Sequence, residues 1–236
     1  MKPLIGILPD LVKKGHDESH IVNSNYVKAI SKAGAIPILL SYSDIDKNLF
    51  QMIAGFLLVG GGIYDKGANP KKFVNKPLSF TNPKRYAFEK KLIMQIVKAR
   101  KPVFGICRGA QMLIDVFGGE IINDITKIQK INHQKAFHSI NLLKGSFLRK
   151  LARCDKIKVN SNHHKGICSV PTYFQVSAKS IDGFVEAFEN KKGSPVIGVQ
   201  FHPETLLHKP FFFKLFKYFI QKCKSKQSKP YNNPQV

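Results

Sequence analysis

The 236-residue sequence contains no tryptophan, only four cysteines and no long uninterrupted apolar stretch. A membrane helix needs about 18 or more consecutive apolar residues, whereas the most aromatic segment, residues 210–220, is interrupted by Lys214 and Lys217. The first ten residues are broken by proline and aspartate and are not followed by a small-residue cleavage site, so they do not resemble a signal peptide. These absences predict a cytoplasmic protein with no membrane partner.

The cysteines are too widely spaced to form a familiar metal motif. None belongs to a Cys-x-x-Cys pair, and the spacing matches no zinc template. In a reducing cytosol they are expected to be free thiols. The four are Cys107, Cys154, Cys168 and Cys223.

Acidic residues are scarce, with 15 Asp and Glu against 38 Lys and Arg, which gives a formal net charge of +23. Such a charge is typical of nucleic-acid-binding proteins. However, most of the cations are lysines spread along the whole chain, whereas base readout and bidentate phosphate contacts favour arginine. We therefore expect no dedicated nucleic-acid partner. Arginine occurs only at Arg85, Arg100, Arg108, Arg149 and Arg153.

The first half of the chain alternates short apolar runs with helix-period segments, a pattern typical of a parallel sheet covered by helices. The predicted strands are Leu4–Leu8, Ile36–Leu40, Phe56–Val59 and Pro102–Ile106. The predicted helices are Asn25–Ala33, Ile45–Ile53, Lys84–Arg100 and Gly109–Phe117.

After residue 120, strand-like runs follow one another with few helices, which indicates mixed or antiparallel pairing added to the parallel core. These runs are 121–122, 139–143, 156–159, 173–177, 184–188 and 196–201. A closing helix is predicted over residues 210–220. We predict one α/β domain over residues 1–222 and a disordered basic tail over residues 223–236.

Cys107 occupies the most informative position. It follows a predicted buried strand and precedes a predicted helix, in the segment Gly105-Ile-Cys-Arg-Gly109. Such a turn exposes its central side chain at the carboxyl edge of a sheet, as a nucleophile elbow does. A helix N-terminus also favours the thiolate form of cysteine. An inert buried thiol is the alternative, and the elbow context favours a nucleophile.

His202 and Glu204 supply a base and an orienting group for that nucleophile. Proline at position 203 favours an extended conformation for His202. Residues i and i+2 of an extended segment point to the same side, so the carboxylate is expected to orient the imidazole.

Acyl transfer also needs donors for the developing oxyanion. The backbone N–H of Arg108 is one candidate, and the glycine triplet Gly60-Gly61-Gly62 after a predicted strand offers others, for which we name Gly61 and Gly62. A phosphate-binding loop is the alternative, but the triplet lacks the spacing of a dinucleotide-binding or P-loop motif.

Three groups of residues give the chain its family resemblance. They are Gly105-Ile-Cys-Arg-Gly-Ala-Gln111, Gly198-Val-Gln-Phe-His-Pro-Glu204 and the glycine triplet, joined by Val159-Asn-Ser-Asn-His-His164 and Asp182-Gly-Phe-Val-Glu-Ala187. The sequence resembles the class I glutamine amidotransferases and, among them, the γ-glutamyl-γ-aminobutyrate hydrolase-like group, also called peptidase family C26. The resemblance spans roughly residues 3 to 222.

The resemblance implies a flavodoxin-like class I glutamine amidotransferase fold, with a mostly parallel central sheet, flanking helices and additional antiparallel strands. It implies a triad of Cys107, His202 and Glu204 and a γ-glutamyl thioester, with no metal or organic cofactor. It places Gln111, Ser161 and His163 near the glutamyl group, and it allows a homodimer.

The chain departs from its relatives in two places, and both bear on the leaving-group pocket. Tyr86 follows Arg85 where relatives often carry aspartate, and Lys165 stands where they often carry glutamine. We expect selectivity for the leaving group to depend on the loops around residues 64–83 and 161–167.

The remaining histidines are expected to have no catalytic or metal-binding role. His16 and His20 stand four residues apart in a predicted loop, and fewer than three ligands converge there. His163, His164 and Cys168 could imitate a metal site, but a pocket-lining loop fits better. His133 and His138 are predicted to be structural.

Two enzyme functions and one binding function are compatible with these residues. The leading hypothesis is a stand-alone hydrolase of γ-glutamyl amides with a preformed oxyanion hole. The alternative is a glutaminase subunit that delivers ammonia to a separate synthetase, which would be a partner only in that case. A binding module that merely keeps the fold is disfavoured by the intact Cys, His and Glu.

Overall fold

A computed structural model describes residues 1–14, 16–61, 78 and 83–227. Its secondary structure begins with strand β1 (Leu4–Leu8), the hairpin β2 (Asp10–Lys14) and β3 (Asp17–Ile21), helix α1 (Ser24–Lys32), β4 (Ile36–Leu39), α2 (Lys47–Met52) and β5 (Ile53–Leu58). It continues with α3 (Pro83–Lys98), β6 (Val103–Ile106), α4 (Arg108–Val116), β7 (Glu120–Ile122), β8 (Ala136–Leu142) and α5 (Phe147–Ala152). The last elements are β9 (Lys156–Ser161), β10 (Gly166–Ser169), β11 (Phe174–Ser180), β12 (Val185–Asn190), β13 (Val196–Val199), a 3-10 turn (Pro203–Thr205) and α6 (Pro210–Gln227).

Within the described residues, one large sheet organises the molecule, in the order β4-β1-β5-β6-β13-β12-β11-β8-β9. The five strands from β4 to β13 pair in parallel, and the four from β12 to β9 are joined to them and to one another by antiparallel pairs. Every residue of β5, β6 and β13 is buried, as expected where helices cover both faces of a parallel sheet. The predicted fold class is confirmed.

Two hydrophobic cores lie on opposite faces of the sheet. One packs α1, α5 and α6 against it, with the ring of Phe104 in contact with those of Phe216 and Phe219. The other packs α2, α3 and α4, with Leu92, Ile93 and Ile96 fully or almost fully buried. These three residues form the apolar face of the long helix α3.

The structure corrects the predicted tail. Helix α6 continues through Gln227 instead of ending near residue 220, so the predicted disorder is wrong for residues 223–227. Cys223 is fully buried, and its Sγ lies 2.4 Å from where a β-carbon on Gly55 would stand. A glycine at position 55 is therefore what lets the last turns of the helix pack on the sheet. The rest of the tail lies outside the described residues.

Three further elements were not predicted from the sequence. The hairpin of β2 and β3 replaces the loop expected around His16 and His20, and its second strand is exposed throughout. Strand β10 and helix α5 were also missed. Across the described residues, no helix has the length and apolarity that spanning a bilayer requires.

Candidate active site

The candidate site lies where three neighbouring parallel strands end. The glycine triplet follows β5, Cys107 follows β6, and His202 lies just beyond β13. The backbone N–H of Cys107 donates to the carbonyl of Val199 over 2.8 Å, which fixes the cysteine against the strand that leads to the histidine. The sheet topology therefore gathers the three sequence motifs at one edge.

Cys107 has the strained backbone of a sharp strand-to-helix turn. Its φ of 51° and ψ of −107° lie in a region that a residue with a β-carbon rarely adopts. Glycines on both sides allow the turn, because a β-carbon on Gly105 would lie 2.7 Å from the carbonyl oxygen of Gly109, and one on Gly109 would lie 2.2 Å from that of Leu58. The predicted elbow is confirmed.

The thiol is less accessible than the elbow pattern predicted. Cys107 is 9% exposed and borders the hydrophobic core between β6 and α1. The expectation of an exposed side chain was wrong, because Gly60 and the ring of His202 lie against Cys107.

His202 and Glu204 form the predicted pair. Nδ1 of His202 lies 2.8 Å from Oε1 of Glu204, which is 4% exposed. Burial by itself lowers the pKa of His202, but the negative charges of Cys107 and Glu204 and their hydrogen bonds outweigh it and raise that pKa well above its ordinary value. This arrangement favours a positively charged imidazole beside Cys107.

Asn160, at the end of β9, holds the backbone of His202. Its side-chain Nδ2 donates to the carbonyl of His202 over 3.0 Å, and its Oδ1 accepts from the N–H of His202 over 3.1 Å. The same Nδ2 lies 2.7 Å from the hydroxyl of Thr205. The histidine is therefore positioned by a strand that lies far from it in the sequence.

Gly60 lies close to the nucleophile. A β-carbon on Gly60 would stand 2.8 Å from the hydroxyl of Tyr26, 3.0 Å from Cε1 of His202 and 3.3 Å from Cβ of Cys107. The N–H of Gly60 donates to that tyrosine hydroxyl over 3.1 Å. Burial and the nearby charges of Glu204 and Cys107 raise the pKa of Tyr26, so the hydroxyl keeps its proton.

The two other glycines and Arg108 are the named oxyanion donors. Gly61 has a φ of 108°, which favours glycine, and lines the cavity beside Asp10. Gly62 lies outside the described residues. Arg108 begins α4, where the first backbone N–H groups have no partner within the helix.

The side chain of Arg108 points into a buried charge network. Its guanidinium bonds one oxygen of Glu89, whose other oxygen accepts from Nε of Arg85 over 2.8 Å. Arg85 also pairs with Asp10, the first residue of β2. Burial opposes ionisation of Glu89, but the two arginines outweigh it and lower its pKa. The network ties the residue after the nucleophile to α3 and β2.

A cavity of about 520 Å³ opens beside these groups. Its lining includes Tyr26, Lys135, Ser161, His202 and Glu204. Ser161 thus shares a cavity with His202 and Glu204, and its role in binding the glutamyl group remains a prediction. Residues 64–77 and 79–82 of the predicted selectivity loops are outside the described part of the chain.

Gln111 and His163 are not among the described residues that line this cavity. The amide of Gln111 donates to Oε1 of Gln200 over 3.1 Å. The ring of His163 turns toward His133 and Glu186 on the far side of Ser161. The roles of these two side chains in binding the glutamyl group remain predictions.

Sequence analysis missed the positioning groups Tyr26, Glu89 and Asn160. Asn160 belongs to a segment that carried the family resemblance, and that was its only signal. Tyr26 likewise begins a segment, residues 26–34, that contributed to the resemblance, whereas Glu89 resembles an ordinary position of an amphipathic helix.

Comparison with known proteins places this geometry in a family. The sequence model of Peptidase C26 matches residues 3–204, which is most of the chain and includes every residue of the candidate triad. The chain belongs to the Peptidase C26 family.

Relatives of this C26 family member cover nearly its whole length. It is 31% identical to a glutamine amidotransferase-like protein of Rickettsia prowazekii, over 94% of this chain and 98% of that one. It is 28% identical to the γ-glutamyl-γ-aminobutyrate hydrolase PuuD of Escherichia coli K12, over 86% of this chain and 85% of that one. A Thermoplasma acidophilum structure described as a GMP synthase subunit superposes with a TM-score of 0.70 at 20% identity, covering 96% of both chains. These likenesses support a hydrolase acting on amide bonds.

Proposed function

We propose that the chain hydrolyses γ-glutamyl amides through a thioester on Cys107. The observation that carries the proposal is the convergence of the strained Cys107 elbow with the hydrogen-bonded His202–Glu204 pair at the ends of adjacent strands. The family match and the likeness to a γ-glutamyl-γ-aminobutyrate hydrolase support this substrate class.

In the first half of the reaction, the Cys107 thiolate attacks the γ-carbonyl carbon and a tetrahedral oxyanion forms. The N–H groups of Gly61, Gly62 and Arg108 are the proposed donors to that oxygen. As the intermediate collapses, the carbon–nitrogen bond breaks and the leaving amine takes a proton from His202. The glutamyl group remains on sulfur as a thioester.

In the second half, water replaces the amine. His202, now neutral, removes a proton from the water while the oxygen attacks the thioester carbonyl. The carbon–sulfur bond breaks, glutamate leaves, and the thiolate faces an imidazolium again. Glu204 keeps the ring oriented and stabilises its positive charge in both halves.

The test is glutamate release by the purified single chain. We expect turnover of γ-glutamyl-γ-aminobutyrate or a related γ-glutamyl amide without any added protein. Cys107→Ser should abolish turnover, and His202→Ala should lower it nearly as far, because triad members act as a unit. Circular dichroism of each variant controls for folding. Absence of turnover for every γ-glutamyl amide by a folded chain would contradict the proposal.

A glutaminase subunit is the second candidate, and two observations favour it. The chain shares its fold with a protein described as a GMP synthase subunit. In addition, the Gly60 N–H is engaged by Tyr26 and is not free to bind an oxyanion. Hydrolysis of glutamine that appears only when cell extract is added would favour this candidate, and the protein responsible could be isolated by co-purification.

A further inference from the structure

Three histidines and a glutamate converge in the interior behind Ser161. Their positions are His133 before β8, His138 on β8, His163 after β9 and Glu186 on β12. The four are between 0% and 7% exposed, and one donor atom of each lies within 4.8 Å of those of the other three. The sequence analysis gave His133 and His138 structural roles and expected no metal.

Four of the six separations between these atoms fit a tetrahedral ion, and all six are within 4.8 Å. Oε1 of Glu186 lies 3.5 Å from Nδ1 of His133, 3.5 Å from Nε2 of His138 and 3.6 Å from Nε2 of His163. Nδ1 of His133 and Nε2 of His163 are 3.3 Å apart. Ligands about 2.0–2.2 Å from a tetrahedral Zn²⁺ stand roughly 3.3–3.6 Å from one another.

The second nitrogen of each ring fixes its tautomer. Nε2 of His133 lies 3.1 Å from a carboxylate oxygen of Asp182. Nδ1 of His138 lies 3.3 Å from the carbonyl of Ser139, and Nδ1 of His163 lies 2.9 Å from that of Lys165. Because these oxygens only accept hydrogen bonds, each of those nitrogens carries the proton. In a neutral ring, the other nitrogen, which faces Glu186, then carries a lone pair.

Four ligand atoms therefore converge on one buried place. Among the described residues, neither oxygen of Glu186 has a hydrogen-bond partner, and nor does Nε2 of His138. Ser161 does not supply the missing proton, since its hydroxyl donates to the carbonyl of His133 over 2.9 Å. A buried carboxylate without a partner is costly unless a cation compensates it.

We propose that His133, His138, His163 and Glu186 bind a structural Zn²⁺ ion. Three imidazoles and one carboxylate are a donor set suited to zinc, and four protein ligands leave no open position for catalysis. In such sites, a hydrogen bond from each histidine ligand to a carboxylate or carbonyl usually fixes the orientation of the ring.

The ion would connect four separate segments at one wall of the active-site cavity. Ser161 and Lys135 line that cavity, and both are close in sequence to the proposed ligands. Ser161 also donates a hydrogen bond to the carbonyl of His133. The backbone N–H of His163 also donates to the carbonyl of His133 over 2.8 Å. Metal binding would therefore order the loop that presents Ser161.

The first experiment measures metal in the untagged protein. After dialysis against metal-free buffer, we expect about one zinc per chain by plasma mass spectrometry. Chelator-treated protein reloaded with Co²⁺ alone should show the intense visible absorption of a four-coordinate ion. Zn²⁺ should raise the melting temperature of the chelated protein and slow amide exchange in residues 131–138 and 161–166.

Variants then assign the metal to this cluster. Glu186→Gln and His138→Ala should abolish stoichiometric binding, and Asp182→Asn should weaken it by about 10–100-fold. Exposed His208 provides the matched control His208→Ala, and Cys107→Ala shows whether the thiol contributes. Both should keep the metal.

Two results would overturn the proposal. One is a folded wild-type chain that takes up no stoichiometric Zn²⁺ or Co²⁺ and shows no Zn²⁺-dependent melting shift. The other is full metal retention by Glu186→Gln and His138→Ala, or its loss in Cys107→Ala. If cluster variants fail to fold, the Co²⁺ spectrum of the wild type decides, since a six-coordinate spectrum contradicts the assigned ligands.

Discussion

Cys107 shares the chain with three thiols in very different surroundings. Cys223 is fully buried, and burial raises its pKa; burial also raises the pKa of Cys168, while Cys154 is exposed. We predict that iodoacetamide alkylates Cys107 faster than Cys154 near pH 7, although Cys107 is only 9% exposed, because His202 favours its thiolate. Peptide mapping of partly labelled protein measures the order, with Cys154 as the internal reference. Faster labelling of Cys154 would contradict the ion pair.

His202 depends on the charge of Glu204 for part of its raised pKa. In Glu204→Gln, we expect the histidine to lose its proton at lower pH, so the alkaline limb of kcat/KM should move to lower pH. The fall in kcat should be smaller than the loss of about 10²–10⁴-fold expected for His202→Ala. Exposed Glu120 gives the control Glu120→Gln, whose profile should match the wild type. An unchanged alkaline limb in Glu204→Gln would show that the carboxylate does not set this pKa.

At the scale of secondary-structure elements, strand β9 positions the catalytic histidine through Asn160. Asn160→Ala removes both hydrogen bonds to the His202 backbone, and each is worth about 0.5–1.5 kcal/mol. We expect kcat to fall by roughly 5–100-fold with little change in KM, because the cavity wall stays in place. Steady-state kinetics measure the changes in kcat and KM separately. The control is Asn141→Ala, on the exposed face of β8. A change confined to KM would instead indicate contact with the substrate.

Helix α3 is joined to α4 by Glu89, which lies between two buried arginines. Glu89→Gln removes the carboxylate that pairs with Arg108 and leaves Arg85 paired with Asp10, so we expect a loss of about 3–5 kcal/mol in unfolding free energy. The lowered pKa of Glu89 means that its contribution is present above the unfolded value of 4.5 and is lost as pH falls through the folded value. Urea denaturation of the wild type and variant at pH 7 and below pH 4 measures both effects.

The control for Glu89 is the exposed pair of Lys84 and Glu18. Glu18→Gln should cost less than about 1 kcal/mol, since water screens such pairs. Equal losses in the two variants would show that burial gives the network no special role.

At the scale of the whole molecule, the net charge of +23 acts as self-repulsion in the folded state. Sodium chloride screens it, with a Debye length of about 30 Å at 0.01 M and 10 Å at 0.1 M. We predict that the melting temperature rises by a few degrees between these concentrations, because about 1 kcal/mol corresponds to roughly 2–4 °C in a domain of this size. Differential scanning calorimetry measures the change. A falling melting temperature would mean that attractive ion pairs outweigh the repulsion.

Local pattern predicted the elements that carry the nucleophile and the base. The segment around Cys107 combines an apolar strand, two glycines and an amphipathic helix within a few residues, so its conformation is encoded locally. Strand β3 gave no such signal, because all its residues are exposed and no apolar alternation exists. The end of α6 was missed because its lysine-rich composition gave no sign that Cys223 is buried. That residue packs on Gly55 in a distant strand.

The supporting residues could not be predicted because distant pairing brings them to the site. Tyr26 meets Gly60 across 34 positions, and Asn160 meets His202 across 42. The four members of the histidine cluster lie on separate segments whose meeting depends on the order of β8, β9 and β12. Side-chain chemistry marks each residue as polar, whereas only the assembled sheet shows what it faces.

The backbone angles at Cys107 imply that protein stability and chemical reactivity favour different residues at this position. A residue with a β-carbon at a φ of 51° and ψ of −107° costs on the order of 1–3 kcal/mol, and glycine would relieve that cost. Selection for thermal resistance alone would therefore favour glycine at position 107 and remove the thiol. The cysteine persists only where its chemistry is also selected, so heat-tolerant variants of this chain need screening for turnover as well as for melting temperature.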